Sequence, residues 1–177
     1  FLAGKKQLQD IVDRCYKVKG ASVTAQMLDK IKEMGFKYST IGAITTSVFD
    51  LHIPPEKKEI LKEAEEKIIE LEKKYKRGLI TGEERYKSII DIWNQATGGV
   101  TEALKSNLDK FNPIWMMANS GARGNMNQIR QLAGMRGLMS NPSGKIIEVP
   151  VKTSFREGLS VLDYFISSHG GRKGLAD

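Results

Sequence analysis

The sequence predicts a mostly α fold: a small helical region, a long projecting antiparallel coiled-coil hairpin, a Gly/Arg-rich loop and one short β element. Three observations carry this. Two consecutive stretches keep an apolar a/d seam, spaced three and four residues apart, over residues 61–75 and 86–103. The turn between them holds a helix-start signature, Thr81 followed by Glu84. A single segment, Lys145 to Val151, reads as a strand.

The first helix is expected over residues 5–19, where Leu8, Ile11, Val12 and Cys15 recur at helical spacing and Gly20 closes the run. A second is expected over residues 21–34, with Val23, Met27, Ile31 and Met34 on one face and Gly35 as its stop. Residues 36–52 fit a buried helix or a strand equally. Together residues 1–53 form the expected helical base.

The hairpin, residues 54–110, is expected to begin at Pro54-Pro55, because proline is tolerated in a first helical turn. Leu61, Ala64, Ile68, Leu71 and Tyr75 supply one seam. Glu63 with Lys67, Glu70 with Lys74 and Glu72 with Lys76 have the spacing of i,i+4 ion pairs on the outer face. Gly78 breaks the helix, and Thr81 with Glu84 caps the next one. Tyr86, Ile89, Trp93, Ala96, Val100 and Ala103 supply the matching seam. Each arm should run about 35–40 Å at the helical rise.

Residues 111–177 differ in character. Gly121, Gly124, Gly134 and Gly137 punctuate a stretch that also carries Arg123, Arg130 and Arg136 without acidic neighbours. Glycine lets backbone approach a ligand closely, and guanidinium groups suit phosphate. The loop lacks the Lys-Ser/Thr pair of a phosphate-binding Walker loop. A turn at Asn141-Pro142-Ser143-Gly144 precedes the strand. A helix is expected from Phe155 to Ser168, interrupted by Gly170-Gly171 and resuming at Arg172.

Composition narrows the function. The chain has 177 residues, 40% hydrophobic and 28% charged, enough for one domain or two small ones. No run of 18 apolar residues is present and no apolar stretch comes after Phe1-Leu2-Ala3, so neither a membrane span nor a signal peptide is expected and the expected location is cytoplasmic. One cysteine, Cys15, allows no internal disulfide and reads as a core residue. The net charge of +7 favours anionic partners. His52 and His169 stand far apart, and no cluster has metal-ligand spacing, so no metal or cofactor is expected on this chain. No nucleophile–base set is evident. Trp93 and Trp115 read as packing residues.

The residues then become specific. Asn119-Ser120-Gly121-Ala122-Arg123-Gly124 and the run Gln128 to Met139 resemble a loop of the beta-prime subunit of bacterial RNA polymerase. Phe155-Arg156-Glu157-Gly158-Leu159 and the run Tyr164 to Asp177 resemble the segment C-terminal to that loop in the same subunit. Glu83-Glu84-Arg85-Tyr86 and Ile90-Asp91-Ile92-Trp93 are also similar to the family. The likeness thins over residues 1–50, where Cys15-Tyr16 and Gly35-Phe36-Lys37-Tyr38 are kept.

The resemblance implies that the chain is an internal piece of a DNA-directed RNA polymerase, a nucleotidyltransferase that makes RNA from NTPs on a DNA template. The hairpin would be the rim helices of the secondary channel, through which NTPs enter, and its tip (Arg77, Gly78, Leu79, Ile80, Thr81, Glu83) would dock transcript-cleavage factors. The Gly/Arg loop would be the F-loop, with Arg123, Gln128 and Arg130 beside the nucleotide route. The last residues would start the bridge helix, placing His169, Arg172 and Lys173 near nucleic acid. The implied partners are the rest of the polymerase chain, the beta, alpha, omega and sigma subunits, NTPs and DNA/RNA, with no membrane. The magnesium-binding motif Asn-Ala-Asp-Phe-Asp-Gly-Asp of the family is absent here, so Mg2+ belongs to the intact enzyme and the chain alone should be inactive. The alternative from charge and hairpin alone is a freestanding basic coiled-coil protein that binds nucleic acid.

Overall fold

A computed structural model describes residues 2–176; Phe1 and Asp177 lie outside the described residues. The chain groups into two compact units, Phe1–Asp50 with Asp109–Asn125, and Leu51–Leu108 with Met126–Asp177. The described residues are mostly helical.

In the first unit, α1 spans Lys5–Ile41 and is broken at Gly20, whose φ of 75° and ψ of −179° are not helical. The expected stop at Gly20 is therefore real, and Thr24 Oγ1 donates back to the Gly20 carbonyl at 2.8 Å across the break. Gly35 does not stop the second half. It carries no left-handed φ, and the helix runs on to Ile41. A glycine inside a helix costs about 1 kcal/mol relative to alanine, a penalty that does not by itself end a helix. Residues 36–52 are thus helix, turn and a 3-10 turn, Val48–Asp50, with no strand. Cys15 is partly buried rather than a full core residue. The short α4, Pro113–Ser120, starts with Asn112 as its cap: Asn112 Oδ1 accepts from the Ile114 N–H at 3.0 Å. The Asn112 amide also donates to the Asp50 carbonyl at 2.8 Å, tying the two segments of this unit together.

The second unit is built on the hairpin. α2 spans Lys57–Lys76 and α3 spans Gly82–Asn107. Pro54 is fully buried but precedes the helix, which starts three residues later than its prolines suggest. The arms are antiparallel: Glu72 meets Arg85, Ile60 lies against Gly99, and Glu56 accepts from Asn107. Ala64, Ile89, Trp93 and Ala96 form the buried seam, flanked by Ile60, Leu61, Ile68, Leu71 and Ile92. Ile68 and Ala103 are partly buried only, whereas the neighbouring Leu104 has no exposed surface. Tyr75 lies 43% exposed, with its ring edge beside Gly82 on the opposite arm. The arms span about 30 and 39 Å at a rise of 1.5 Å per residue.

α5, Met126–Ala133, packs against α3 inside a stretch expected to be one continuous loop. Gly134 makes this approach possible: a Cβ there would lie 2.9 Å from the Arg130 carbonyl oxygen and 3.2 Å from Val100 Cγ1. Met135, Val151, Val100 and Ala133 are fully buried beside it. The expected strand 145–151 is an irregular antiparallel ribbon with two isolated bridges, Gly137 to Val151 and Ser140 to Ile146, around the turn at Asn141–Gly144.

The last helix also differs from expectation. Ser154 and Glu157 cap one another's backbone, and Gly158, at φ 89°, turns the chain out of the helical path. α6 therefore starts only at Val161, with Ser160 and Asp163 capping each other, and runs through Gly170-Gly171 to Ala176. None of its described residues is buried within this unit.

Candidate functional site

The hairpin tip is a close-packed turn. The Gly78 N–H donates to Tyr75 O at 2.9 Å and the Leu79 N–H to Lys74 O at 3.1 Å, with Gly78 at φ 72°. A side chain at that φ would be strained, so glycine is required. Thr81 then caps α3 in a full capping box: Glu84 N–H to Thr81 Oγ1 at 3.2 Å, and Thr81 N–H to Glu84 Oε2 at 2.8 Å. The Thr81 N–H and hydroxyl, both donating to the Glu84 carboxylate, hold its pKa below the ordinary value. Arg77, Gly78, Leu79, Thr81 and Glu83 are exposed and Ile80 is half-buried. The turn is held by backbone bonds and the Thr81–Glu84 box, leaving Arg77 and Leu79 exposed, while Glu83 pairs with Lys87 at 2.8 Å.

Below the tip, Arg85 donates through Nε to Glu72 at 2.7 Å and through Nη2 to Glu148 on the ribbon at 2.8 Å, and lies 5.3 Å over the Tyr75 ring. The hydrogen bond to Glu72 raises its pKa above the ordinary arginine value. Glu72, expected to pair with Lys76, is thus used across the hairpin instead. Tyr86 donates to the Ile146 carbonyl at 3.0 Å, fastening the ribbon to the hairpin at a further point.

The Gly/Arg stretch is divided between the two units. In the first, Arg123 is exposed and its N–H donates to Met117 O at 3.3 Å. The flanking Gly121 and Gly124 have φ of 79° and 82°. A Cβ at Gly121 would come within 2.9 Å of the Lys5 Cβ, so glycine serves both the turn and the contact with α1. In the second unit, Gln128 is exposed on α5. Arg130, on the last turn of α5, is half-buried, and its Nε is buried without a hydrogen-bond partner among the described residues. Desolvation lowers its pKa. Arg136 shares both features and stacks 4.7 Å from the Phe155 ring centre.

On α6, His169 is half-buried and meets Phe165 edge-on with ring centres 5.2 Å apart. Arg172 is exposed, and Lys173 donates to the Pro142 carbonyl at 3.1 Å. Two groupings escaped the sequence reading. One is the Arg85 network. The other is Lys57, 5% exposed on its side chain, which donates to Glu157 a hundred positions away. Only the mixed charge of the hairpin hinted at the first, and nothing local could reveal the second. Among the described residues no group of three or more His, Cys, Asp or Glu has the arrangement of a metal site, and no helix is long and apolar enough to cross a membrane.

Comparison with known families assigns the class, that of the large RNA polymerase subunits. The description RNA polymerase Rpb1, domain 4, matches residues 63–160, and RNA polymerase Rpb1, domain 3, matches residues 2–51. The chain belongs to the RNA polymerase Rpb1 family. It is 60% identical over 176 residues to the DNA-directed RNA polymerase subunit beta' of Heliobacterium modesticaldum, covering 99% of this chain and 15% of that protein. The corresponding subunits of Thermoanaerobacter sp. (strain X514) and Clostridium acetobutylicum are 62% and 59% identical over 176 and 177 residues, 99% and 100% of this chain and again 15% of each relative. The chain thus spans about 15% of the length of the relatives it matches. The bacterial beta-prime likeness read from the loop extends over the whole chain.

Proposed function

We propose that the chain works as part of a DNA-directed RNA polymerase, lining the channel by which NTPs reach the active centre, supporting that centre, and docking regulators. The observation that carries this reading is the 60% identity to a beta' subunit sustained over 176 of 177 residues. The geometry supports the assignment of roles. An exposed, self-supporting turn suits Arg77, Gly78, Leu79, Ile80, Thr81 and Glu83 as a docking tip for transcript-cleavage factors. Exposed Arg123, held between two left-handed glycines, suits a passing phosphate. Gln128 and Arg130 would serve the same nucleotide route, and His169, Arg172 and Lys173 would lie near nucleic acid at the start of the bridge helix. Residues 1–53 would be the base, 54–110 the rim and 111–177 the segment leading to the active centre.

Catalytic Mg2+ would be held outside this chain, by the aspartate motif that its sequence lacks; the other subunits and the nucleic acid would complete the enzyme, acting in the cytoplasm. The freestanding coiled-coil reading accounts for charge and hairpin but not for identity extending through residues 108–176. The test is a chimeric polymerase in which this chain replaces the matching segment of the Clostridium acetobutylicum subunit. Template-dependent RNA extension is the expected result. An assembled chimera that cannot extend RNA would overturn the reading.

A further inference from the structure

The most buried charged side chain among the described residues is not at the tip or in the Gly/Arg stretch. Lys57, at the first turn of α2, donates to Glu157 Oε2, the same oxygen that accepts from the Ser154 N–H at 2.7 Å and the Ser154 hydroxyl at 2.8 Å. Three donors from two distant segments converge on one oxygen. Such a pair is poorly explained as a source of stability. Burying the lysine charge beside a half-buried carboxylate costs much of what their attraction returns, and apolar replacements of similar volume often do as well. What it supplies is direction, because charge-assisted hydrogen bonds constrain both distance and angle.

Its position gives that direction a use. Glu157 stands one residue before the left-handed Gly158 and three before Ser160, the cap of α6. α6 buries none of its described residues within this unit. It is half-buried only at Asp163 and Ile166 to His169, and its hydrogen bonds to the rest of the unit include those of Asp163 with Thr153 and Lys173 with Pro142, so its placement leans on how the chain enters it. A helix with no fully buried residue is aimed largely by its entry.

We propose that Lys57, Glu157 and Ser154 form a positioning clamp through which the base of the hairpin sets the entry, and hence the alignment, of α6. The functional consequence rests on the polymerase reading above, in which α6 starts the helix beside the active centre. None of the three residues touches substrate; they act through α6.

The test uses the chimeric polymerase with Glu157→Gln, Lys57→Met and both together. Methionine keeps the stem of Lys57 and removes its charge. A misplacement of about 1 Å can cost up to a hundredfold in rate, so each single change is expected to lower the maximal rate of single-nucleotide addition roughly tenfold at little-changed KM. The double variant should be no slower than the slower single, because one interaction is lost either way. Amide hydrogen exchange should quicken over residues 154–165 and stay unchanged in α2 and α3. Wild-type addition rates in variants of normal stability would overturn the proposal, as would faster exchange spread through the whole hairpin. If the unmutated chimera adds no nucleotide, the polymerase reading fails on its own; unchanged exchange over residues 154–165 in Glu157→Gln would then still overturn the clamp.

Discussion

Arg85 Nε and Glu72 Oε1 lie 2.7 Å apart across the hairpin, one on each arm, and the same guanidinium reaches Glu148 on the ribbon. One side chain thus holds three segments. Arg85→Ala is expected to cost about 1–2 kcal/mol, between the value of an exposed pair and that of a half-buried hydrogen bond to a charged group. Arg85→Lys should recover only part, since lysine cannot span two carboxylates with a planar fork. Thermal unfolding of the three proteins gives the ranking; an alanine variant as stable as the parent would show that the network is idle.

The seam should respond according to burial. Trp93 is 4% exposed, and Trp93→Ala is expected to cost about 3–5 kcal/mol. Ile68 is partly buried against the same cluster, and Ile68→Asp should destabilise comparably by placing a charge there. By contrast Leu79→Ser at the tip should leave the urea midpoint unchanged while weakening the response to docked factors.

Gly134→Ala tests a close approach rather than a conformation. Its Cβ would meet the Arg130 carbonyl at 2.9 Å and Val100 at 3.2 Å, and α5 has no room to retreat from fully buried Ala133 and Met135. Overpacking of this kind costs about 1–3 kcal/mol. Gly98→Ala, with nothing within 4 Å, serves as the control and should be neutral or slightly stabilising. Equal melting of the two variants would refute the packing argument.

Glu157 predicts a pH dependence. Burial opposes its ionisation, but the hydrogen bonds from Lys57 and Ser154 outweigh burial and hold its pKa below the ordinary value. A carboxyl with a depressed folded pKa binds fewer protons folded than unfolded. Its contribution is therefore complete above the unfolded pKa and fades as pH falls through the folded one. In urea titrations the parent should lose stability below the ordinary glutamate range more steeply than Glu157→Gln. Parallel pH profiles would exclude the linkage.

Arg123→Ala, in the chimera, should slow nucleotide addition chiefly by weakening nucleotide loading. A charge-assisted hydrogen bond contributes about 1.5–3 kcal/mol, roughly a ten- to hundredfold loss in kcat/KM if the contact persists to the transition state. Single-nucleotide addition measured against NTP concentration decides it. An unchanged concentration dependence and rate would remove Arg123 from the nucleotide route.

Elements with local causes were legible in the chain itself. Heptad spacing, the Thr81–Glu84 box and the glycines at 20 and 78 act within a few residues, so the antiparallel arms, their cap and two of the breaks could be read from residue order. The motifs from Asn119 onward likewise carried the family. Elements with distant causes took shape only in the packed molecule. α5 forms where the glycines suggest a loop because Ile129 and Ala133 bury themselves in its unit. Gly134 stays small because that packing needs it small. The start of α6 at Val161 has local causes in Gly158 and the Ser160–Asp163 cap, but the contact of Glu157 with a lysine a hundred residues earlier exists only in the packed unit. Such contacts depend on which distant groups the folded chain brings within hydrogen-bonding or van der Waals reach, and no periodicity encodes that. The same holds for Arg130 and Arg136: each is a charge in sequence, but burial of its Nε without a partner among the described residues is a property of the packed unit alone.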